Sequence, residues 1–205
     1  LALHVKVDFV LLVERFIQLT GVLLTIPFSI LIIYGKEFYS LWVPSQDASV
    51  LQILSILTCG GLIFTSGIQC LFNVFTVVNK LKLNSILVLL SGAVSTLIVF
   101  ILMKTTNLGV FAIAGVSSVV NLVRNMVYTV PFAAKYLGLK WNTFFPEVFS
   151  SAISVIVLTV IGFTIKKFII ANSWFMLIIA VGITSLLGLA INMFIVLNKE
   201  WREIS

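Results

Sequence analysis

Leu83–Val130 reads LNSILVLLSGAVSTLIVFILMKTTNLGVFAIAGVSSVVNLVRNMVYTV. Two apolar runs, Leu83–Met103 and Leu108–Val130, flank the short polar stretch Lys104–Asn107. Each run matches the ~20 apolar residues that cross a hydrocarbon core as a helix. A connection this short makes the two helices antiparallel neighbours. A membrane barrel would instead show alternating segments of about ten residues, and these runs are longer and uniformly apolar.

The same pattern continues on both sides. Phe9–Tyr34, interrupted by Pro27, and Val50–Val78 precede the hairpin, and Val148–Ile165 and Trp174–Leu197 follow it. The expectation is an all-α, polytopic membrane protein with six transmembrane helices. Composition agrees: the chain is 60% hydrophobic and 10% charged with mean hydropathy +1.21, against about 25% charged residues in a soluble domain. Such a chain cannot cover a globular surface with polar groups, so its solvent is lipid. It starts at Leu1 without a signal peptide and reads as a fragment of a longer protein. The expected organisation is a four-helix unit over 1–131, an interfacial connection over 132–147, and a terminal helix pair with a short tail over 148–205.

Charge sets the orientation. Lys6, Arg15, Lys80, Lys82, Arg124, Lys135, Lys140, Lys199 and Arg202 fall on one side, and Lys36, Lys104, Lys166 and Lys167 on the other. Lysine and arginine accumulate on the cytoplasmic side, so both ends are expected there. Trp42, Trp141, Trp174 and Trp201 lie at run ends, where indoles favour the headgroup level. The net charge of +6 resides in loops between apolar runs, which is the membrane pattern and not that of a nucleic-acid binder. Cys59 and Cys70, eleven positions apart, are too distant on a helix to pair. The single histidine, His4, does not make a metal site. Asp8, Glu14, Glu37, Asp47, Glu147, Glu200 and Glu203 all lie near run ends, so no span core carries the carboxylate common in ion-coupled carriers. No phosphate loop, metal cluster or nucleophile triad is present, and neither a cofactor nor a catalytic residue is expected.

The connection Pro131–Pro146 mixes Tyr136, Leu139, Trp141, Phe144 and Phe145 with Lys135 and Lys140, a composition suited to the membrane surface. Pro146 fits the first helical position of the following span, with Glu147 favourable beside the helix N-terminus. Small residues at helical spacing, Ser91, Gly92 and Ser95, Ala114, Gly115 and Ser118, and Gly182, Ser185 and Gly188, read as packing stripes. Gln52, Ser55 and Cys59 share one face of the second span, Gln69 and Asn73 another, and both read chiefly as interhelical hydrogen bonding. Pro27 removes a backbone donor and is expected to kink the first span.

One polar stripe stands apart. Ser117, Asn121, Arg124, Asn125 and Tyr128 share a face in the cytoplasmic half of the fourth span. A core charge costs about 2.5–3.5 kcal/mol even on lenient scales. Two readings are open. Arg124 lies close enough to the cytoplasmic end for its side chain to snorkel to the headgroups. Alternatively the stripe lines a wet cavity, with the guanidinium fork facing an anionic substrate. Snorkelling explains the arginine but not both asparagines, which favours the cavity. Arg15 and Gln18, sharing a face of the first span, are weaker candidates.

Asn107–Pro146, NLGVFAIAGVSSVVNLVRNMVYTVPFAAKYLGLKWNTFFP, resembles the late hairpin of bacterial polysaccharide flippases, the O-antigen and capsule repeat-unit transporters of the MOP superfamily. Gly109–Ser118 matches that family's Gly-x-x-Ala-Ile-Ala entry into a helix. IIYGKEFYSLWVP, Ile32–Pro44, resembles the end of an earlier span, where a tyrosine-glycine pair precedes an aromatic loop. Order and spacing carry the resemblance more than any one motif. It implies a MATE-like bundle of twelve to fourteen helices in two pseudo-symmetric lobes around a central cavity, with this chain the second half, lacking the first lobe and some of the second. It implies flipping of undecaprenyl-pyrophosphate-linked oligosaccharides across the bacterial cytoplasmic membrane by alternating access. It further implies membrane lipids, the missing first half of the chain, and polysaccharide polymerase and export machinery as partners. A cavity arginine would suit the pyrophosphate, which carries Arg124 over as a candidate and Arg15 more weakly.

Two other functions compete. A multidrug antiporter of the same superfamily would normally hold an acid within a span. An integral-membrane enzyme of polysaccharide assembly would need catalytic groups in large outer loops. The longest here, Gly35–Ser49, offers Lys36, Glu37 and Asp47, too little for an acid–base pair.

Overall fold

The computed structural model describes the backbone of residues 2–169 and 171–204, and the side chains between 10 and 193 other than Val22, Ser66 and Ile170. The side chains of His4, Lys6, Asp8, Lys199, Glu200, Trp201, Arg202 and Glu203, used in the charge and interface readings above, lie outside the described residues. The described chain is 85% helix without strands. Six helices are long and apolar enough to cross a membrane.

Helix α1 runs Ala2–Trp42 without a break at Pro27. Its 41 residues make it about 60 Å long, roughly twice the hydrocarbon thickness. It passes the expected end at Tyr34 because polar contacts support the extra turns. Glu37 meets Lys166 at 2.7 Å, and the Phe38 ring packs edge-on against Trp174.

The expected second span divides into α2, Ala48–Ile68, and α3, Leu71–Val77. Gln69 and Asn73, expected to share a face, are separated by the break and both exposed. The end of α3 is set by Asn79, whose positive φ lets the Lys80 N–H reach the Phe75 carbonyl at 2.8 Å. Helix α4 is Leu81–Thr105, and α5 is Val110–Arg124.

The fourth span also differs from its expected end at Val130. A π turn, Asn125–Thr129, leads into α6, Val130–Tyr136, so the rod continues past Pro131. The Val130 N–H donates to the Asn125 carbonyl, one residue further back than in an α-helix. Proline has no N–H to donate, and the wider turn accommodates it. Gly138, at φ 69°, ends the rod and lets the Leu139 N–H bond the Ala134 carbonyl at 2.9 Å. The rest of the connection is only partly a surface segment. Trp141 is exposed, but Ala133, Ala134 and Phe144 are fully buried with Val13, Ile17, Phe75 and Val148.

Helix α7, Phe145–Lys166, and α8, Trp174–Ile204, complete the chain. Helix α1 packs along α2, α7 and α8, while α5 bridges α2 and α4. The helices are joined by the means lipid favours, close packing and interhelical hydrogen bonds. Asn192 donates to Thr25 at 3.0 Å, Tyr34 meets Thr184 at 3.4 Å, and Gln52 donates to the Ile32 carbonyl at 2.7 Å. Ser55 bonds Tyr39, so the Gln52–Ser55 face does join helices as expected. Two expected packing glycines do not: Gly92 and Gly182 have no described neighbour within 4 Å of where a side chain would start.

Candidate functional site

Helix α5 sits between α2 and α4, and its polar stripe divides among them. Toward α4, the Ser117 hydroxyl meets Ser95 at 3.1 Å, and an Arg124 terminal nitrogen reaches Ser91 at a long 3.5 Å. Toward α2, Ser118 donates to the Thr58 carbonyl at 3.1 Å, and its Cβ lies 3.3 Å from where a Gly61 side chain would begin. That close approach brings α2 and α5 together, so the Ala114–Gly115–Ser118 stripe does serve packing. Asn121 lies between the two contacts and is exposed.

The stripe is therefore not uniform in environment. Asn125 is fully buried. Its Oδ1 accepts from Arg124 at 3.1 Å and from Thr129 at 2.9 Å, and its amide faces Asn121 at 3.5 Å. Tyr128 is buried, stacked on Phe75 with ring centroids 5.7 Å apart, and tilted on Phe132 at 4.7 Å. These two side chains belong to the helix packing around the π turn, and Ser117, Asn121 and Arg124 remain nearer the opening.

Arg124 is half-buried, with its guanidinium carbon 5.9 Å from the centre of the Phe72 ring of α3. No carboxylate pairs with it among the described residues, and its Nε has no hydrogen-bond partner. The Tyr128 hydroxyl and the Asn84 Oδ1 are also buried without a partner. Buried polar atoms are nearly always bonded in native proteins; Thr159 on α7 and Asn192 on α8 each carry such an atom too, so what sets Arg124 apart is its charge.

Near Arg124 runs a cavity of about 600 Å³ between α2 and α5, lined by Leu54, Thr58, Gly61, Leu62 and Thr65 on one wall and by one face of α5, from Val110 to Asn121, on the other. Ser117, Ser118 and Asn121 all reach it. The sequence reading found the α5 wall. It missed the α2 wall because Thr58, Gly61 and Thr65 are small residues, whose spacing does not tell a cavity wall from a packing face. It also missed Phe72, for which no sequence signal exists, since only the break after Ile68 turns α3 beneath Arg124.

Arg15 and Gln18 are not brought to this site. Arg15 is exposed among Leu11, Leu12, Phe16 and Leu19 of its own helix, and Gln18 is half-buried on α1. Among the described residues no cluster of His, Cys, Asp or Glu could hold a metal. Comparison with family models, with curated proteins and with solved structures returns no match.

Proposed function

We propose that this chain is half of an alternating-access transporter that carries polyprenyl-pyrophosphate-linked oligosaccharides from the cytoplasmic to the outer leaflet of a bacterial membrane. The resemblance of Asn107–Pro146 and Ile32–Pro44 to polysaccharide flippases motivates the substrate. The observation that carries it is Arg124: a guanidinium within a span, without a carboxylate partner among the described residues, one turn from a cavity that Asn121 lines. Guanidinium is the side chain best shaped for phosphate oxygens and stays charged in low-dielectric surroundings. Transport requires no covalent chemistry. With the cation-rich loops inside, both ends of the chain lie in the cytoplasm.

The competing role for Arg124 is structural, holding α4 to α5 through Ser91. Substitution in cells that depend on this protein separates the two. Arg124→Ala should reduce surface polysaccharide about tenfold or more, as expected for a hydrogen bond to a charged group worth ~1.5–3 kcal/mol. Membrane levels of the protein should be unchanged, and Arg124→Lys should restore part of the output. Normal polymer with Arg124→Ala removes the residue from the substrate path, and loss of the protein itself assigns it to packing.

A further inference from the structure

The groups that hold Arg124 are all neutral. The Asn125 Oδ1 accepts from the guanidinium at 3.1 Å and from the Thr129 hydroxyl at 2.9 Å. The Asn125 amide nitrogen faces Asn121 at 3.5 Å, a length at which a hydrogen bond is weak. An aspartate at 125 would keep both accepted bonds, in the stronger charge-assisted form. It would also pair a cation that is costly to place within a span. Hydrogen bonding therefore does not select an amide over a carboxylate at this position, and charge does. The same choice recurs across the helix interface. The Ser91 hydroxyl of α4 donates to the Val88 carbonyl at 2.8 Å and accepts from the other terminal nitrogen of Arg124 at 3.5 Å. The Phe72 ring, 5.9 Å from the guanidinium carbon, attracts a cation without cancelling its charge.

We infer that Asn125 and Ser91 are positioning residues that orient the Arg124 guanidinium while leaving its charge uncompensated for an anionic group entering beside Asn121. Asn121 is exposed, lines the α2–α5 cavity and precedes Arg124 by one turn, which makes it the approach to the fork. The inference rests on the reading of Arg124 as a substrate contact. It adds that this contact requires the neutrality of the two neighbours as well as their hydrogen bonds.

Charge-selective thiol chemistry tests it without reference to the cargo. In the full-length protein with Cys59 and Cys70 replaced, Asn121→Cys places a thiol one turn from Arg124. Anionic sulfonatoethyl and cationic trimethylammonioethyl methanethiosulfonates are compared in phosphatidylcholine nanodiscs, each relative to its rate with free cysteine. The anionic reagent should be favoured about tenfold, because a positive local potential concentrates anions. Asn125→Asp, Ser91→Asp and Arg124→Ala should each remove the preference, and Ser91→Asn should keep it. Ser91 is only half-buried, so its aspartate variant decides the matter if Asn125→Asp does not fold. Inorganic pyrophosphate in solution, or phosphatidylglycerol mixed into the disc, should slow the anionic reagent in a manner that Arg124→Ala abolishes. The first result marks a soluble phosphate as the anion, and the second a lipid headgroup. No reaction at this thiol, no slowing by either anion, or a preference that survives both aspartates overturns the inference. Polysaccharide output separates it from the transport reading. Output lost in Arg124→Ala but kept in both aspartate variants retains that reading and removes the inference. The expected charge preference in a protein that transports no polysaccharide does the reverse.

Discussion

At the scale of single residues, the ion pair between Glu37 and Lys166 shows how this chain manages charge at a membrane boundary. The two side chains are 25% and 28% exposed and 2.7 Å apart, and the ammonium also bonds the Ile33 carbonyl. An exposed pair contributes about 0–1 kcal/mol, whereas breaking a buried one costs about 3–5 kcal/mol, because the remaining charge is stranded. This pair lies between those limits. Glu37→Gln or Lys166→Met alone should cost about 1–3 kcal/mol, and the double variant clearly less than the sum. Thermal unfolding in mild detergent measures the cycle. Lys104, exposed at the α4 terminus with Phe100 4.4 Å from its ammonium, is the control, and Lys104→Met should leave the melting temperature within about a degree. Additive costs at Glu37 and Lys166 would mean that the pair does not hold α1 to α7.

At the scale of helices, glycines of similar appearance have opposite roles. A side chain built on Gly67 would lie 3.0 Å from the Ile17 carbonyl and 2.8 Å from its Cγ2, so α1 and α2 cross there at backbone distance. Gly92 on α4 meets nothing described within 4 Å. Gly67→Ala should therefore destabilise by about 1–3 kcal/mol through overpacking, whereas Gly92→Ala should be neutral or stabilising by up to ~1 kcal/mol through helix propensity. Denaturant titration of both variants checks the contrast, and equal effects would refute the crossing. The same contrast explains what could be read in advance. The α4–α5 hairpin was legible because run length and a short polar turn set it locally. The break after Ile68 was not, because no proline marks it and the helix contact beside it, Gly67 against Ile17, joins residues fifty positions apart. The π turn was hidden for a similar reason: Pro131 reads as a stop, and only the engagement of Asn125 and Tyr128 with their neighbours shows the rod carrying on. Of the candidate site, the α5 stripe was visible as a period, but its division between α4, α2 and the cavity was not, since spacing gives a face without naming what lies opposite.

At the scale of the whole molecule, the contacts decide which loops share an end, and the proposed orientation rests on the charges. Glu37–Lys166 and Phe38–Trp174 hold the 43–47 and 167–173 connections at one end. Val13, Phe75, Ala134 and Phe144 cluster at the other. The first end contains Lys36, Lys104, Lys166 and Lys167, and the second Lys80, Lys82, Lys135 and Lys140 beside Arg15 and Arg124. The bias of basic residues makes the second end the proposed cytoplasmic one. Single cysteines at exposed Ser45 and Lys135, in a background where the free Cys59 and Cys70 are replaced, read this out with a membrane-impermeant maleimide. Intact cells should label position 45 and spare position 135 until the membrane is opened. Labelling of both from outside would break the alternation of spans itself. Labelling of position 135 alone would keep the spans but turn the molecule over. Arg124 would then lie toward the outer leaflet, away from the side on which the proposed substrate is loaded.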